Sequence, residues 1–221
     1  MGIRTLLSWS SGKDSAWTLH TLRQQGAYEV VGLLTTVNSA YDRVAMHGTR
    51  ASVLRAQAAA AALPLIELPL PWPCSNQQYE AVMREACAAA VADSVEAMAF
   101  GDLYLEDVRR YREQRLAGTG ITPVFPLWGR DTHALVREML DGGLRARLTC
   151  VDPRKVPESF AGRELDASLL AELPPGTDPC AENGEFHTCA YAGPMFATPI
   201  RLVPGAVEPH GDFVFADFTS E

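Results

Sequence analysis

The chain has 221 residues, 47% hydrophobic and 21% charged, with a formal net charge of −8. That length fits one domain or one domain with an appendage, at about 100–200 residues per domain, and the composition argues against disorder, collagen-like repeats and coiled coil. The negative balance argues against nonspecific nucleic-acid binding, which relies on clustered positive charge.

The longest run without Asp, Glu, Lys or Arg, Phe186–Ile200, is shorter than the roughly 20 apolar residues of a membrane span and contains two prolines. The N-terminus has one basic residue and meets Gly12-Lys13-Asp14 where a signal-peptide cleavage site would fall, so a soluble, cytoplasmic protein is expected. Cys74, Cys87, Cys150, Cys180 and Cys189 form no CxxC pair and read as reduced, mostly buried thiols.

In chain order, Arg4–Trp9 reads as a short apolar strand, followed by the small polar turn Ser10-Ser11-Gly12-Lys13-Asp14-Ser15. From Ser15 a helical pattern carries Trp17, Leu19 and Leu22 and stops at Gly26. Glu29–Val37 is an almost continuously apolar strand, as parallel strands buried on both faces are. A polar loop with Tyr41, Asp42, Arg43 and His47-Gly48 leads to an alanine-rich helix, Arg50–Ala62.

Pro64–Leu70 is a third strand, Gln77–Ala92 a third helix, and Glu96–Phe100 a fourth strand ending in Gly101-Asp102. Leu105–Leu116 is a charged helix, Thr122–Pro126 is extended, Thr132–Leu140 is a helix and Ala146–Val151 a strand. This alternation predicts an α/β doubly wound, mainly parallel sheet over residues 1–151. Residues 152–221 become rich in proline and glycine and read as a small α+β extension, with a helix near Asp166–Leu173 and a strand near Phe213–Phe218.

The strongest chemical signal is strand, then residues 10–15, then helix. A tight turn at the C-terminal end of a parallel strand aims backbone amides and a helix N-terminus at one point, which makes an anion site. Lys13 adds positive charge, Ser10 and Ser15 add hydroxyls, and Asp14 is suited to orient Mg²⁺ carried by phosphates. A Walker A loop is excluded by Leu7 and Asp14 at the positions it needs as Gly and Ser/Thr, and a dinucleotide fingerprint by the single glycine. The plain alternative is a helix cap in a polar turn.

The turn resembles the PP-loop, SGGxDS, of the N-type ATP pyrophosphatases, with Ser11 in place of the first glycine. That replacement is harmless if position 11 needs no positive φ. The resemblance extends through Leu33–Val37, His47-Gly48, Gly101-Asp102, Asp107–Glu113, Pro126–Trp128, Arg137–Met139 and Glu182–Thr188 in the same order. Together these resemble the short form of the diphthine–ammonia ligase family.

The resemblance implies a Rossmann-like (HUP-type) ATP-binding domain at 1–151, with 152–221 completing the acceptor site. It further implies an AMP-forming ligase that uses ATP and Mg²⁺, adenylates a carboxylate and amidates it with ammonia. In that reading Ser10–Ser15, Thr35, Thr36, His47 and Gly101 bind ATP. Lys13, Asp14, Asp102, Glu185 and His187 act in catalysis, with Glu185 or His187 as general base towards ammonium. Arg109, Arg112, Glu113, Glu182, Asn183, Gly184 and Thr188 hold the acceptor.

Against this, Arg109, Arg112 and Glu113 also read as a solvated, salt-bridged helix face. The loop itself is expected to be exposed, so that Lys13→Ala and Asp14→Ala would leave the fold intact. Seventeen arginines to two lysines suggest a GC-rich, bacterial coding bias, whereas diphthamide is archaeal and eukaryotic. The acceptor, small molecule or protein, therefore stays open, as do a homodimer, another ATP pyrophosphatase acting on a small metabolite, and a nucleotide sensor without turnover.

Overall fold

A computed structural model describes residues 2–44 and 48–221. The first unit runs β1 (Ile3–Ser8), α1 (Lys13–Gln25), β2 (Tyr28–Asn38), β3 (Arg43–Val44), α2 (Ala51–Ala61), β4 (Leu65–Leu70), α3 (Asn76–Ala92), β5 (Ala97–Ala99), α4 (Glu106–Leu116) and β6 (Thr122–Val124). β1 and β4 both pair with β2 at Leu33 and Leu34, so they flank it on opposite edges. The parallel order is therefore β4-β2-β1-β5-β6, with β3 antiparallel at the end of β2.

This is the Rossmann-like arrangement. Strand order reverses between β1 and β5, and open α/β sheets bind ligands in the crevice beyond the strand ends at such a reversal. The turn after β1 is residues 9–12 and the turn after β5 begins at Phe100, so connectivity alone brings the predicted phosphate loop and Gly101-Asp102 together.

Each buried strand divides its side chains between two faces by the period of two. Leu7, Leu33 and Ala99 join one core with α1 and α2, through Trp17, Leu19, Leu22 and Leu54. Leu6, Leu34 and Met98 join the other with α3 and α4, through Cys87, Ala90 and Leu116. Helix ends follow local chemistry. Ser75 and Gln78 form a reciprocal capping box on α3, and Gly26, at φ +67°, closes α1 on the carbonyl of Leu22.

Then follow α5 (Thr132–Asp141), β7 (Arg145–Val151), α6 (Ala167–Glu172), β8 (Phe186–Ala192), β9 (Leu202–His210) and β10 (Phe213–Ser220). β7, expected to continue the parallel sheet, instead lies inside a separate antiparallel sheet ordered β8-β7-β10-β9. Along β7 the side chains alternate, with Arg145, Arg147 and Thr149 on one face and Ala146, Leu148 and Cys150 on the other, a pattern closer to an antiparallel strand than to a parallel one buried on both faces. β3, β8 and β9 are strands that the sequence reading did not delimit. Among the described residues no helix is long and apolar enough to cross a membrane, and the cysteines are unbridged, with four of the five buried.

The two sheets are joined by Asp217 of β10, whose carboxylate accepts from Arg43 Nη1 at 2.9 Å and from Arg50 Nε at 2.9 and 3.0 Å. Burial opposes ionisation of Asp217, but the hydrogen bonds from Arg50 and Arg43 outweigh it and hold the carboxyl at about 2. A depressed carboxyl contributes stability above its unfolded pKa and loses it as pH falls through the folded one.

Asp217→Asn is thus expected to cost about 1–2 kcal/mol in urea unfolding at neutral pH, allowing for the partly exposed arginines. The gap from wild type should shrink as the pH drops from about 4 towards 2. A gap independent of pH would contradict the assignment.

Candidate active site

α1 begins on Gly12, whose φ of −82° and ψ of 172° are extended and whose side makes no capping bond. Its first amide, Lys13 N–H, donates instead to Thr188 Oγ1 of β8 at 3.1 Å. Ser10 Oγ lies 3.2 Å from Ser15 Oγ, and Ser15 Oγ donates to the Gly12 carbonyl at 3.0 Å. The helix N-terminus, with its partial positive charge, thus opens onto a cavity ringed by hydroxyls.

The cavity measures about 210 Å³ and is lined by Ser10, Gly12, Lys13, Asp14 and Ser15 from the loop and by Gly101, Asp102 and Arg112 across the switch. Cys180, Glu182, Gly184, His187 and Thr188 close it from the C-terminal segment. Ligand pockets usually run to about 300–1,000 Å³, so this cavity suits a phosphate tail rather than a whole nucleotide.

Two glycines sit at close approaches, tightest at Gly101, where the neighbours are backbone. A Cβ on Gly101 would lie 3.0 Å from the Asp14 carbonyl carbon and 3.1 Å from Ser15 N, and one on Gly12 would lie 3.3 Å from the Thr188 carbonyl oxygen.

Ser11 departs from expectation: its φ is +70°, so the position does take the left-handed conformation that favours glycine. Such strain costs of order 1–3 kcal/mol and persists only where the surroundings fix it. Here Ser11 Oγ donates to Thr49 Oγ1 at 2.8 Å, and its carbonyl accepts from Gln57 Nε2 and from Ala190 N–H, both at 2.9 Å. Gln57, fully buried on α2, also donates to the Ala190 carbonyl at 2.6 Å and accepts from Trp9 Nε1 at 3.0 Å. One amide therefore ties β1, α2, β8 and the loop.

Lys13 is not exposed, contrary to expectation: 3% of the residue is accessible. Its ammonium donates to Asp14 Oδ2 at 2.8 Å and to the Cys180 carbonyl. Burial works to lower its pKa, yet Asp14 outweighs that and holds it above its ordinary value. Asp14 Oδ1 is buried without a hydrogen-bond partner.

Asp102 Oδ2 accepts from Arg112 Nε at 3.3 Å, and Glu182 Oε1 accepts from Leu103 N–H at 2.8 Å. Burial, reinforced by the charges of Asp14 and Asp102, pushes the Glu182 carboxyl up to about 7. Burial and then Lys13 push His187 down to about 4, so at neutral pH its ring is uncharged. The Cys180 thiol is pushed up to about 12 by burial and is no thiolate nucleophile.

Several predicted residues fall elsewhere. Glu185 precedes β8, in a turn with Ala181 at φ +59° and Gly184 at +75°, so the strand period does not align it with His187. It is buried off the cavity lining, and its Oε1 accepts from Asp178 N–H at 3.2 Å and Asn183 Nδ2 at 3.3 Å. Asn183 is exposed.

Arg109 stacks on Phe125 and Trp128, 4.9 and 4.7 Å from their ring centroids, and pairs with Glu113 at 2.8 Å. Neither lines the cavity, whereas Arg112 does. Thr35 is buried and donates to the Trp9 carbonyl at 2.7 Å, Thr36 sits near the end of β2, and His47 lies outside the described residues.

The reading from sequence missed the Cys180 carbonyl, Thr49, Gln57 and Asp178. Asp178 shapes the cavity wall by accepting from Cys180 N–H and Glu182 N–H at 3.1 and 2.9 Å. Nothing in their local sequence marks them.

Two family models match: the diphthamide synthase N-terminal domain over residues 3–122 and the diphthamide synthase C-terminal domain over 131–218. A diphthine–ammonia ligase from Danio rerio is 32% identical over 119 residues, covering 51% of this chain and 46% of that protein. One from Homo sapiens is 26% identical over 149 residues, covering 65% and 55%. The chain thus spans about half the length of the curated relatives it matches.

Removing Lys13 strands Asp14 and the Cys180 carbonyl. Lys13→Ala is therefore expected to cost about 3 kcal/mol in urea unfolding, and Asp14→Asn in the Lys13→Met background should recover part of it. A Lys13→Ala protein as stable as wild type would show that the ion pair is dispensable to the fold.

Proposed function

The chain belongs to the diphthamide synthase family, and we propose that it is an ATP-dependent, AMP-forming ligase that joins ammonia to a carboxylate. The observation that carries this reading is the buried Lys13 ammonium beside an α-helix N-terminus that opens onto a cavity of phosphate size.

The loop amides, Ser10, Ser15 and Lys13 would hold the pyrophosphate end of ATP, with the adenosine towards the C-terminal end of β2 near Thr35 and Thr36. Among the described residues no group of three His, Cys, Asp or Glu side chains would hold a metal unaided. The unpartnered Oδ1 of Asp14 fits one site on a Mg²⁺ that arrives with the nucleotide. Bound there, Mg²⁺ would neutralise phosphate charge.

The acceptor carboxylate oxygen attacks the α-phosphorus. The α–β bridging bond breaks, and pyrophosphate leaves into the Lys13 site. Ammonia then attacks the acyl carbon and AMP departs. Positioning and fixed positive charge lower both barriers without a covalent enzyme intermediate.

Ammonium must first lose a proton. Glu182, on the cavity wall and poised at about 7, suits that base role by pKa matching better than His187 at about 4 or Glu185, which is off the wall. His187 and Thr188 then serve as neutral donors to the acceptor or phosphate, and Arg112 as the charge facing the acceptor.

Phosphorus NMR of Mg·ATP, ammonium and metabolite extract should show AMP and pyrophosphate, lost in Lys13→Ala. ADP and phosphate would contradict the reading. Glu182 is active as a base only when ionised, so amide formation should rise through about pH 7 in wild type. Glu182→Gln should be slower by about 10²–10⁴-fold and lose that inflection. An unchanged profile would remove Glu182 from the mechanism.

A further inference from the structure

On the far side of Phe100 and Arg112 lies a second cavity, of about 430 Å³, between α3 and α4. It falls within the size range of small-molecule sites, about 300–1,000 Å³. Its floor is apolar, with Met83 and Cys87 one helical turn apart on α3 and Met98 and Phe100 from β5 and its end. Its charged lining is unbalanced: Arg84, Arg112 and Arg115 face a single acid, Glu80, which pairs with Arg115 at 2.8 Å.

Phe100 and Arg112 line both this cavity and the phosphate cavity. The Arg112 guanidinium lies over the Phe100 ring, 4.8 Å from its centroid, with Asp102 and Tyr79 as its partners.

We infer that this cavity is the acceptor pocket, and that the acceptor is an amphipathic monocarboxylate. Its apolar body lies between Met83, Cys87 and Met98, and its carboxylate meets Arg112 at the boundary with the phosphate cavity. A carboxylate held there has one oxygen directed at the phosphates, and Arg112 trades part of its contact with Asp102 for the ligand. Burial of the apolar body supplies affinity, while the guanidinium supplies orientation. This assignment rests on the ligase reading above and adds to it the substrate class.

The probe is para-fluorophenylacetate, followed by fluorine NMR on the full chain, with the neutral para-fluorotoluene as control. Saturable binding of the acid and much weaker binding of the neutral analogue are expected. Met83→Trp and, independently, Ala88→Trp fill the cavity from α3, and Ala88 is exposed, so that variant does not disturb the core. Each should weaken the acid by about tenfold or more while leaving ATP affinity unchanged.

No saturable binding, equal binding of acid and neutral analogue, or wild-type affinity in both filled variants would overturn the inference. ATP that is bound but never split between its α- and β-phosphates would instead overturn the ligase reading. That outcome leaves the pocket's carboxylate selectivity standing.

Discussion

The ammonium of Lys13 is buried where the two halves of the molecule meet, and its two partners come from opposite halves. Asp14 belongs to the helix that follows β1, and the Cys180 carbonyl belongs to the segment that leads into β8. An isolated ammonium in such a place would lose its proton or pull the site open to water. Held by a carboxylate and a carbonyl, it remains a cation lining the cavity at the β1–β5 switch. The position of the C-terminal sheet follows from this contact and from the Gln57 bridge beside it, because Ala190 and Thr188 of β8 are bonded to the same turn.

The charges around Lys13 divide the roles of the remaining groups. Asp14, Asp102 and Glu182 share the cavity with Lys13 and Arg112. In this desolvated space burial pushes the carboxyls of both Asp14 and Glu182 up, and Glu182, which accepts from the Leu103 amide and from no cation, reaches about 7. Asp102 has Arg112 and Asp14 has Lys13. Burial shifts His187 in the opposite direction, and Lys13 adds to that downward shift. A carboxyl held at about 7 and an uncharged imidazole thus line the same cavity.

The aromatic groups behind the cavity organise its second wall. Phe100 stacks on Phe125 at 5.6 Å, and Trp128 meets Phe125 edge-on at 5.9 Å. The arginines of α4 lie on this cluster, Arg112 over Phe100 and Arg109 over Phe125 and Trp128. Their three-residue spacing, which from sequence allowed one shared role, distributes them over different rings. Arg112 consequently faces the cavity, while Arg109 closes an exposed pair with Glu113.

By itself the sequence determined the parallel βα order and the tight turn between β1 and α1 with its small residues, because these rest on local periodicity and on local steric needs. It also marked Glu182 and Thr188 through the segment that contains them, though not their partners, the amides of Leu103 and Lys13. Only the tertiary structure decided that Lys13 is buried, that Ser11 adopts the left-handed conformation with Thr49 and Gln57 holding it, and that β7 belongs to the second sheet. Glu185 lies in the turn before β8, off the cavity lining, with Asp178 and Asn183 as donors to its carboxylate. The physical reason is shared by Lys13, Ser11 and β7: their burial and partners depend on residues far away in the chain, Cys180, Thr49 and Gln57, and β8, and no local pattern encodes which of them arrives.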